Sequence, residues 1–262
     1  MRIPAVVAAC GIAALAWSPV AVAQTLAPPQ VEAVASSQEA IAPSQDDESA
    51  AHKLLRDEWD DYKNFFSWNN AVWLGVGGAV SLGLHPLDQD VHEAALDAGT
   101  PTLWGGDTYG SQKFQVPVAI GVWVVGHAAG SDRLAATGRD LLRAQIAVFS
   151  WTNAIKWAVQ RTRPNGDPRS FPSGHSSASF ATAAVLLEQY GWKAGVPALA
   201  AAAYTAASRV TADQHWLSDV AFGAALGMVC GRTVTVRLRN QRVAISPVVQ
   251  DHAALVMFTV LQ

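Results

Sequence analysis

Long apolar runs alternate with polar segments along the chain. Six of these runs are too long for ordinary strands and are predicted to be helices. They cover residues 71–84, 116–130, 141–159, 177–190, 195–210 and 217–230. The pattern therefore predicts an all-α fold, a bundle of about six core helices.

An amphipathic helix is predicted ahead of this bundle, starting near His52. Leu55, Trp59, Tyr62 and Phe66 recur there at helical spacing, with acidic and basic residues between them. We expect this helix to pack on the core. The alternative is a helix lying on a membrane surface, against which its acidic polar face argues, since anionic lipids would repel it.

The C-terminal residues have a different pattern. Thr233–Arg239 alternates between side-chain types with a period of two, which predicts a strand. Val243–Val249 and Leu255–Leu261 are two further candidate strands, with Asn240–Gln241 as the first turn, and Pro247 favours an edge position. A small C-terminal β appendage is expected, which either covers the bundle or contacts a partner or membrane.

Composition excludes one broad class of function. The 262 residues are 50% hydrophobic and 15% charged, with a formal net charge of -3. No basic tail or basic helix is present, so a nucleic-acid partner is not expected. The same composition fits both a soluble helical domain and a membrane protein.

The N-terminus has the features of a secretory signal peptide. Arg2 gives a positive start, an apolar run follows over Ala5–Trp17, and Ala21–Ala23 forms an A-x-A cleavage site. Residues 24–51 are rich in Pro, Ala, Ser, Gln and acids, which predicts a disordered linker. The predicted organisation is a signal peptide (1–23), a linker (24–51), a helical domain (52–231) and a β-strand tail (232–262).

Residues 85–115 contain several His and Asp side chains. A polar loop or short helix is expected here rather than a metal site, because no ligand pair has a recognised spacing. We expect this segment to lie near the mouth of the functional site and to shape substrate access.

Three polar clusters interrupt the apolar segments between residues 156 and 219. They have the forms Lys-x6-Arg-Pro, Pro-Ser-Gly-His and Ser-Arg-x5-His-x3-Asp. The candidate functional residues in them are Lys156, Arg163, Ser173, Gly174, His175, Arg209, His215 and Asp219.

The cationic residues suit an anion. Lys156 and Arg163 are seven residues apart, two turns along one helical face, and Pro164 predicts that this helix ends at Arg163. Arg209 adds a planar guanidinium with bidentate phosphate geometry. The alternative for Lys156 and Arg163 is a structural one, in which basic residues complement the dipole at a helix C-terminus.

The two remaining clusters can supply reactive groups. Ser173, Gly174 and His175 directly precede a helical stretch, and the N–H groups of a helix N-terminus favour an anion. Ser173 could instead be an N-cap only. His215 and Asp219 are four apart and share a face on a helix, where a carboxylate would fix the imidazole tautomer and leave the other nitrogen as a nucleophile.

Together, in this order and spacing, the clusters resemble the type 2 phosphatidic acid phosphatase (PAP2) family, which includes bacterial non-specific acid phosphatases and vanadium haloperoxidases. The resemblance covers residues 156–219 closely. It implies that His215 attacks phosphorus, Asp219 orients it and His175 protonates the leaving oxygen. The remaining cluster residues hold the phosphate oxygens, and no metal or other cofactor is required.

The resemblance implies an exported phosphatase for phosphomonoesters, with lipid phosphates or polyprenyl pyrophosphates as candidate substrates. The alternatives are a vanadate-dependent haloperoxidase and a non-catalytic envelope protein that binds phosphorylated lipids. A cleaved signal and six spans would place the first motif on the cytoplasmic side, whereas membrane members of the family carry it outside. A soluble or peripheral periplasmic domain is therefore favoured over an integral membrane protein; membrane contact and oligomeric state stay open.

Overall fold

The computed structural model describes residues 50–97, 103, 105–239, 242–250 and 253–261. These ranges form nine α-helices, a 3-10 turn at His85–Leu87 and two β-strands. The helices are α1 (Ala50–Phe65), α2 (Trp68–Leu84), α3 (Asp88–Asp97), α4 (Gly106–Gly110), α5 (Gln112–Ala128), α6 (Asp132–Val159), α7 (Gly174–Tyr190), α8 (Trp192–Thr211) and α9 (Leu217–Arg239). The predicted signal peptide and most of the predicted linker lie outside the described residues.

The all-α prediction is confirmed, and each of the six apolar segments lies in its own helix. Helix boundaries differ most at the end of α9 and at the start of α6, which begins at Asp132 because Ser131 caps it, accepting a hydrogen bond from the Leu134 N–H. The expectation that this helix ends at Arg163 is wrong. It ends at Val159, because Gln160 adopts a left-handed conformation (φ 53°) that closes the last turn.

Helix α7 lies at the centre of the bundle, between α6, α8 and α9. Its residues from Ser176 to Val185 are all buried and, apart from Phe180, small, as expected for a helix that packs on every side. Phe180 and Ala184 face one core shared with α8 and α9, while Ala181 and Val185 face a second core shared with α6 and α9. The start of α7 is therefore fixed by its packing.

Helix α9 packs against α7 through glycines spaced by four residues. A Cβ atom on Gly223 would lie 2.7 Å from the Ser173 carbonyl oxygen, and Cβ atoms on Gly227 and Gly231 would clash with the carbonyl oxygens of Ser177 and Ala181. Because these positions have no side chain, the two backbones approach closely. This glycine contact sets the distance between the N-terminal ends of the two helices.

The strand predicted over Thr233–Arg239 is wrong, since α9 continues to Arg239. The Thr233 and Thr235 hydroxyls donate to carbonyl oxygens four residues earlier, and Val234 is fully buried in the second core. Helical hydrogen bonding and burial of Val234 outweigh the strand preference of β-branched residues here.

The two later strands are confirmed as β1 (Arg242–Gln250) and β2 (Ala253–Leu261). They pair antiparallel, from Arg242 opposite Leu261 to Gln250 opposite Ala253. The turn expected at Asn240–Gln241 lies outside the described residues.

Candidate active site

The N-terminus of α7 carries the Ser-Gly-His cluster. Ser173 is the N-cap, and its hydroxyl accepts a hydrogen bond from the Ser176 N–H at 3.4 Å. The backbone N–H of Ser173 donates to the Asp219 carbonyl oxygen at 3.1 Å, which joins this end of α7 to the start of α9. Gly174 is the first helical residue, so its N–H lies among the free N–H groups that favour an anion.

His215 and Asp219 are brought together, although not on one helix as predicted. His215 lies in the loop before α9, and Asp219 lies in its first turn. His215 Nδ1 is 3.5 Å from Asp219 Oδ2, and the same oxygen accepts hydrogen bonds from the Trp216 N–H and the Ser170 hydroxyl. The carboxylate therefore favours the tautomer with the proton on Nδ1 and leaves Nε2 with a lone pair.

Burial controls the charge of this pair. Both side chains are almost fully buried. Burial lowers the pKa of His215 to about 4, although Asp219 acts in the opposite direction. Burial alone would raise the pKa of Asp219, but hydrogen bonds from His215 and Ser170 and the charge of Arg161 hold it below its usual value. At neutral pH the pair is thus a neutral imidazole beside a carboxylate.

Cationic side chains surround these groups. Lys156 donates to the carbonyl oxygens of Arg169 and Ser170 at 2.7 and 3.1 Å, and burial, followed by the charge of Arg163, lowers its pKa to about 8. Arg163 donates to the Gln214 side chain at 2.8 Å, and its buried Nε has no hydrogen-bond partner in the part of the chain that the structure describes.

The charge of Arg163 acts on several of the other predicted site residues, which therefore lie close to it. Burial is the largest cause of the lowered pKa values of His175, Arg209 and His215, but the charge of Arg163 contributes to each of them. Arg163 is also close enough to lower the pKa of Lys156. The structure thus brings the cations and both imidazoles of the three clusters together.

His175 faces the opening of this site. Its side chain is 28% exposed, and Nε2 is 3.2 Å from Asp107 Oδ1. The same Asp107 oxygen accepts a hydrogen bond from Arg209 at 2.6 Å. Burial, followed by the charge of Arg209, lowers the pKa of His175, while Asp107 acts to raise it.

Sequence reasoning missed four side chains that contact these groups directly or, for Asp88, through Arg161. Arg161 donates to Asp219 Oδ1, Ser218 Oγ and Asp88 Oδ2, each at 2.7 Å. Asp88 in turn accepts from the Ser218 N–H at 2.8 Å and is 5% exposed. Ser170 and Asp107 complete the set.

The sequence held partial signals for these residues. Arg161 lies two residues before Arg163, and Asp88 and Asp107 belong to the segment expected near the mouth of the site. The packing of α3 and α4 decides which acids of this segment point toward the site. Sequence spacing alone does not predict that packing. Within the described ranges, no group of three or more His, Cys, Asp or Glu side chains is arranged to hold a metal ion.

The arrangement can hold and attack a tetrahedral anion. A neutral imidazole oriented by a carboxylate can act as nucleophile, a second imidazole at the opening can move a proton, and three cations with a helix N-terminus can stabilise negative charge. These groups are typical of the phosphoryl-transfer class of sites.

The family comparison agrees with that class. The PAP2 superfamily model matches residues 140–242, which include all eight candidate residues. The part of the chain that carries the three motifs is thus similar to the PAP2 superfamily, the family that these motifs resemble.

Two relatives and one solved structure are similar to this chain. Lipid A 1-phosphatase of Porphyromonas gingivalis is 39% identical over 83 residues, 30% of this chain and 19% of that protein. Lipid A 4'-phosphatase of Helicobacter pylori is 34% identical over 79 residues, 30% of this chain and 40% of that protein. The chain thus matches less than half the length of either relative. The crystal structure of Aquifex aeolicus LpxE has a TM-score of 0.48 and 20% identity, covering 56% of this chain and 94% of that one.

Proposed function

We propose that this protein is an exported phosphatase that removes phosphate from a phosphorylated lipid through a phosphohistidine intermediate. The observation that carries this proposal is the His215–Asp219 pair, buried and uncharged at the imidazole, beside a cluster of cations. A neutral imidazole is a nucleophile at neutral pH, whereas a protonated one is not.

The first half of the reaction forms a bond between His215 Nε2 and phosphorus. The bond from phosphorus to the leaving oxygen breaks, and His175 gives that oxygen its proton. His175 must be protonated for this step; the negative charge of a bound phosphate dianion raises its pKa and offsets the effect of burial. Lys156, Arg163 and Arg209 stabilise the charge on the non-bridging oxygens.

The second half returns the protein to its starting state. A water molecule attacks phosphorus and gives a proton to His175, while the bond from phosphorus to His215 breaks. Inorganic phosphate leaves, and Asp219 keeps the released imidazole in the tautomer needed for the next attack.

Two observations support a lipid as the substrate class. Both relatives carry names that refer to phosphates of lipid A. In addition, α2 exposes an apolar stripe at four-residue spacing, Trp68, Val72, Val76 and Val80, with Trp68 83% exposed. Exposed apolar surfaces of this kind are typical of contact with a membrane or another protein.

Within the described residues, one helix is long and apolar enough to cross a membrane, Leu217–Thr235 in α9. Since 72% of that stretch is buried inside the bundle, it also fits a core helix. We therefore propose membrane contact through the exposed stripe of α2, at the cell envelope to which the predicted signal peptide would export the chain.

A phosphate-release assay tests the activity. The purified chain is given a long-chain lipid monophosphate in detergent and a soluble aryl phosphate, and His215→Ala is compared with His127→Ala, an exposed histidine near the end of α5. We expect turnover of the lipid, its loss in His215→Ala and its retention in His127→Ala. Turnover near wild type in His215→Ala would contradict the role assignment, and no release from any ester would favour a non-catalytic binding protein.

Vesicle flotation tests the membrane contact. Replacing Val72, Val76 and Val80 together by serine should reduce co-flotation with lipid vesicles and turnover of the lipid substrate, while turnover of the soluble ester is kept. Equal flotation of the variant and the wild type would rule out this surface.

A further inference from the structure

The short helix α4 is held tightly against α8 and the start of α7. Gly106 and Gly110 face this contact: a Cβ atom on Gly106 would clash with the Ser208 side chain, and one on Gly110 would lie 2.6 Å from Thr205 Cγ2 and 2.8 Å from His175 Cβ. The absence of side chains at these two positions lets the α4 backbone approach closely. Asp107, between them, is thereby carried to the opening of the site.

One oxygen of Asp107 bridges two groups of the site. Oδ1 lies 2.6 Å from Arg209 Nη1 and 3.2 Å from His175 Nε2, and the side chain is 73% exposed. In the proposed reaction, Arg209 binds a phosphate oxygen and His175 Nε2 contacts the leaving oxygen. An acidic oxygen therefore lies where an oxygen of the substrate must bind.

We propose that Asp107 is a further residue of the phosphate site, an anion that occupies the position of a substrate oxygen and is displaced when phosphate binds. This inference rests on the proposed function, because it takes Arg209 and His175 as phosphate contacts. Asp107 cannot stay in place, since its carboxylate and a phosphate would repel each other over the same guanidinium. Its exposed side chain can turn into water without breaking any packing.

Displacement has a direct consequence for affinity. Every anion that enters must first break the Asp107–Arg209 ion pair, so the carboxylate weakens the binding of substrate and of product phosphate alike. Removing the negative charge at position 107 should therefore tighten phosphate binding. A residue that merely supported the fold of the site would have the opposite effect, because its loss would make the positions of the phosphate-binding side chains less well fixed.

The test is the binding of inorganic phosphate, measured by isothermal titration calorimetry at pH 7 on the purified full chain in detergent. Asp107→Asn and Asp107→Ala are compared with wild type, and thermal melts check that each variant is folded. Asp132→Asn is the matched control, because Asp132 is exposed at the N-terminal end of α6, about 36 Å along the helix from Lys156.

We expect Asp107→Asn and Asp107→Ala to lower the Kd for phosphate by about three- to fivefold, the upper part of the range for a single exposed ion pair. Asp132→Asn should leave the Kd unchanged within twofold. An unchanged or higher Kd in both Asp107 variants, with wild type binding normally, would overturn this inference alone. If no form of the protein bound phosphate, the proposed phosphate site would fail and this inference with it.

Discussion

The guanidinium of Arg161 contacts Asp219 at 2.7 Å and Asp88 at the same distance, and so bridges two buried carboxylates. Asp219 is the residue that orients His215, whereas Asp88 belongs to α3, far away in sequence. The position of the proposed nucleophile therefore depends on a side chain outside the three motifs. Arg161 also lies over the Trp216 ring, with its Cζ 5.5 Å from the ring centroid, which further limits its freedom.

Weakening this bridge should slow the chemical step and spare substrate binding. Asp88→Asn keeps the shape of the side chain but removes its charge, so Arg161 is held less firmly on Asp219. We expect kcat to fall by about tenfold, the effect of one charge-assisted hydrogen bond, with KM unchanged because Lys156, Arg163 and Arg209 are intact.

The titration of His215, followed by NMR, separates positioning from a general loss of structure. A changed His215 pKa in Asp88→Asn, with the melting temperature nearly kept, is the expected result. Asp90→Asn, an exposed acid on the same helix, is the control. A raised KM with unchanged kcat would show that Asp88 acts on substrate binding instead.

The pH dependence of kcat/KM should reflect Lys156 on the alkaline side. Its pKa of about 8 means that it loses its positive charge above that pH, and phosphate is then held by fewer cations. Lys156→Arg keeps the charge at every accessible pH, so its alkaline fall should move upward by more than one pH unit. The same soluble ester is used for both proteins, so that its own ionisation cancels. An identical alkaline fall in both would exclude Lys156 as the source.

On the acid side, activity should depend on His215. This imidazole is a nucleophile only when it is deprotonated. At saturating substrate, where bound phosphate keeps His175 protonated, kcat should therefore be kept as the pH falls through 6 and be lost as it approaches 4, where burial places the pKa of His215. An acid limb in Asp219→Asn displaced from that of wild type would support the assignment. A limb at pH 6.5 in wild type would show that burial does not lower the pKa of the nucleophile.

Chelation should have little effect on turnover. Three cationic side chains supply the charge that a metal ion supplies in other phosphoryl-transfer sites. We expect the rate of phosphate release to stay within twofold after treatment with EDTA. A large loss that added magnesium restores would contradict the proposed mechanism.

Glu58 should destabilise the fold at high pH. Burial raises its pKa to about 8, the neighbouring Asp61 adds to this effect, and neither oxygen of Glu58 has a hydrogen-bond partner among the described residues. The folded state therefore favours the protonated acid: the stability is fully present below about pH 4.5 and is lost as the pH rises through 8.

Glu58→Gln removes that titration without changing the shape of the side chain. It should raise the melting temperature at pH 8 to 9 and have little effect at pH 4. The gain at high pH corresponds to about a few kcal/mol at most in the free energy of unfolding. Thermal melts across this range are the measurement. A lower melting temperature at pH 9 would mean that the charged form of Glu58 is needed by the fold.

The helices could be predicted from the sequence because their apolar runs are too long for ordinary strands. The site was predictable for a different reason: the spacing of His175, His215 and Asp219 in their clusters is a strong family signal. The exact positions of the side chains relative to the helix ends could not be predicted. Lys156 and Arg163 were expected on one helical face, but the left-handed Gln160 ends α6 between them and sends Arg163 into a loop.

Contacts between side chains that lie far apart in the sequence could not be predicted. Asp88 and Asp107 are two acids among several in residues 85–115, and only the packing of α3 and α4 selects them. The end of α9 shows the limit of local patterns, because Thr233–Arg239 alternates like a strand. Burial of Val234 keeps it helical, and burial is a property of the whole fold.

The backbone contact between α7 and α9 makes the geometry of the site sensitive to substitutions at the glycines of this interface. His175 and Asp219 are each near the first turn of one of these helices, so the width of the reaction centre is fixed by main-chain atoms at Gly223, Gly227 and Gly231. Adding one methyl group at Gly227, near the middle of the interface, would push the helices apart and separate acid from nucleophile. An inactivating lesion can thus arise at a position that carries no reactive group and never meets the substrate.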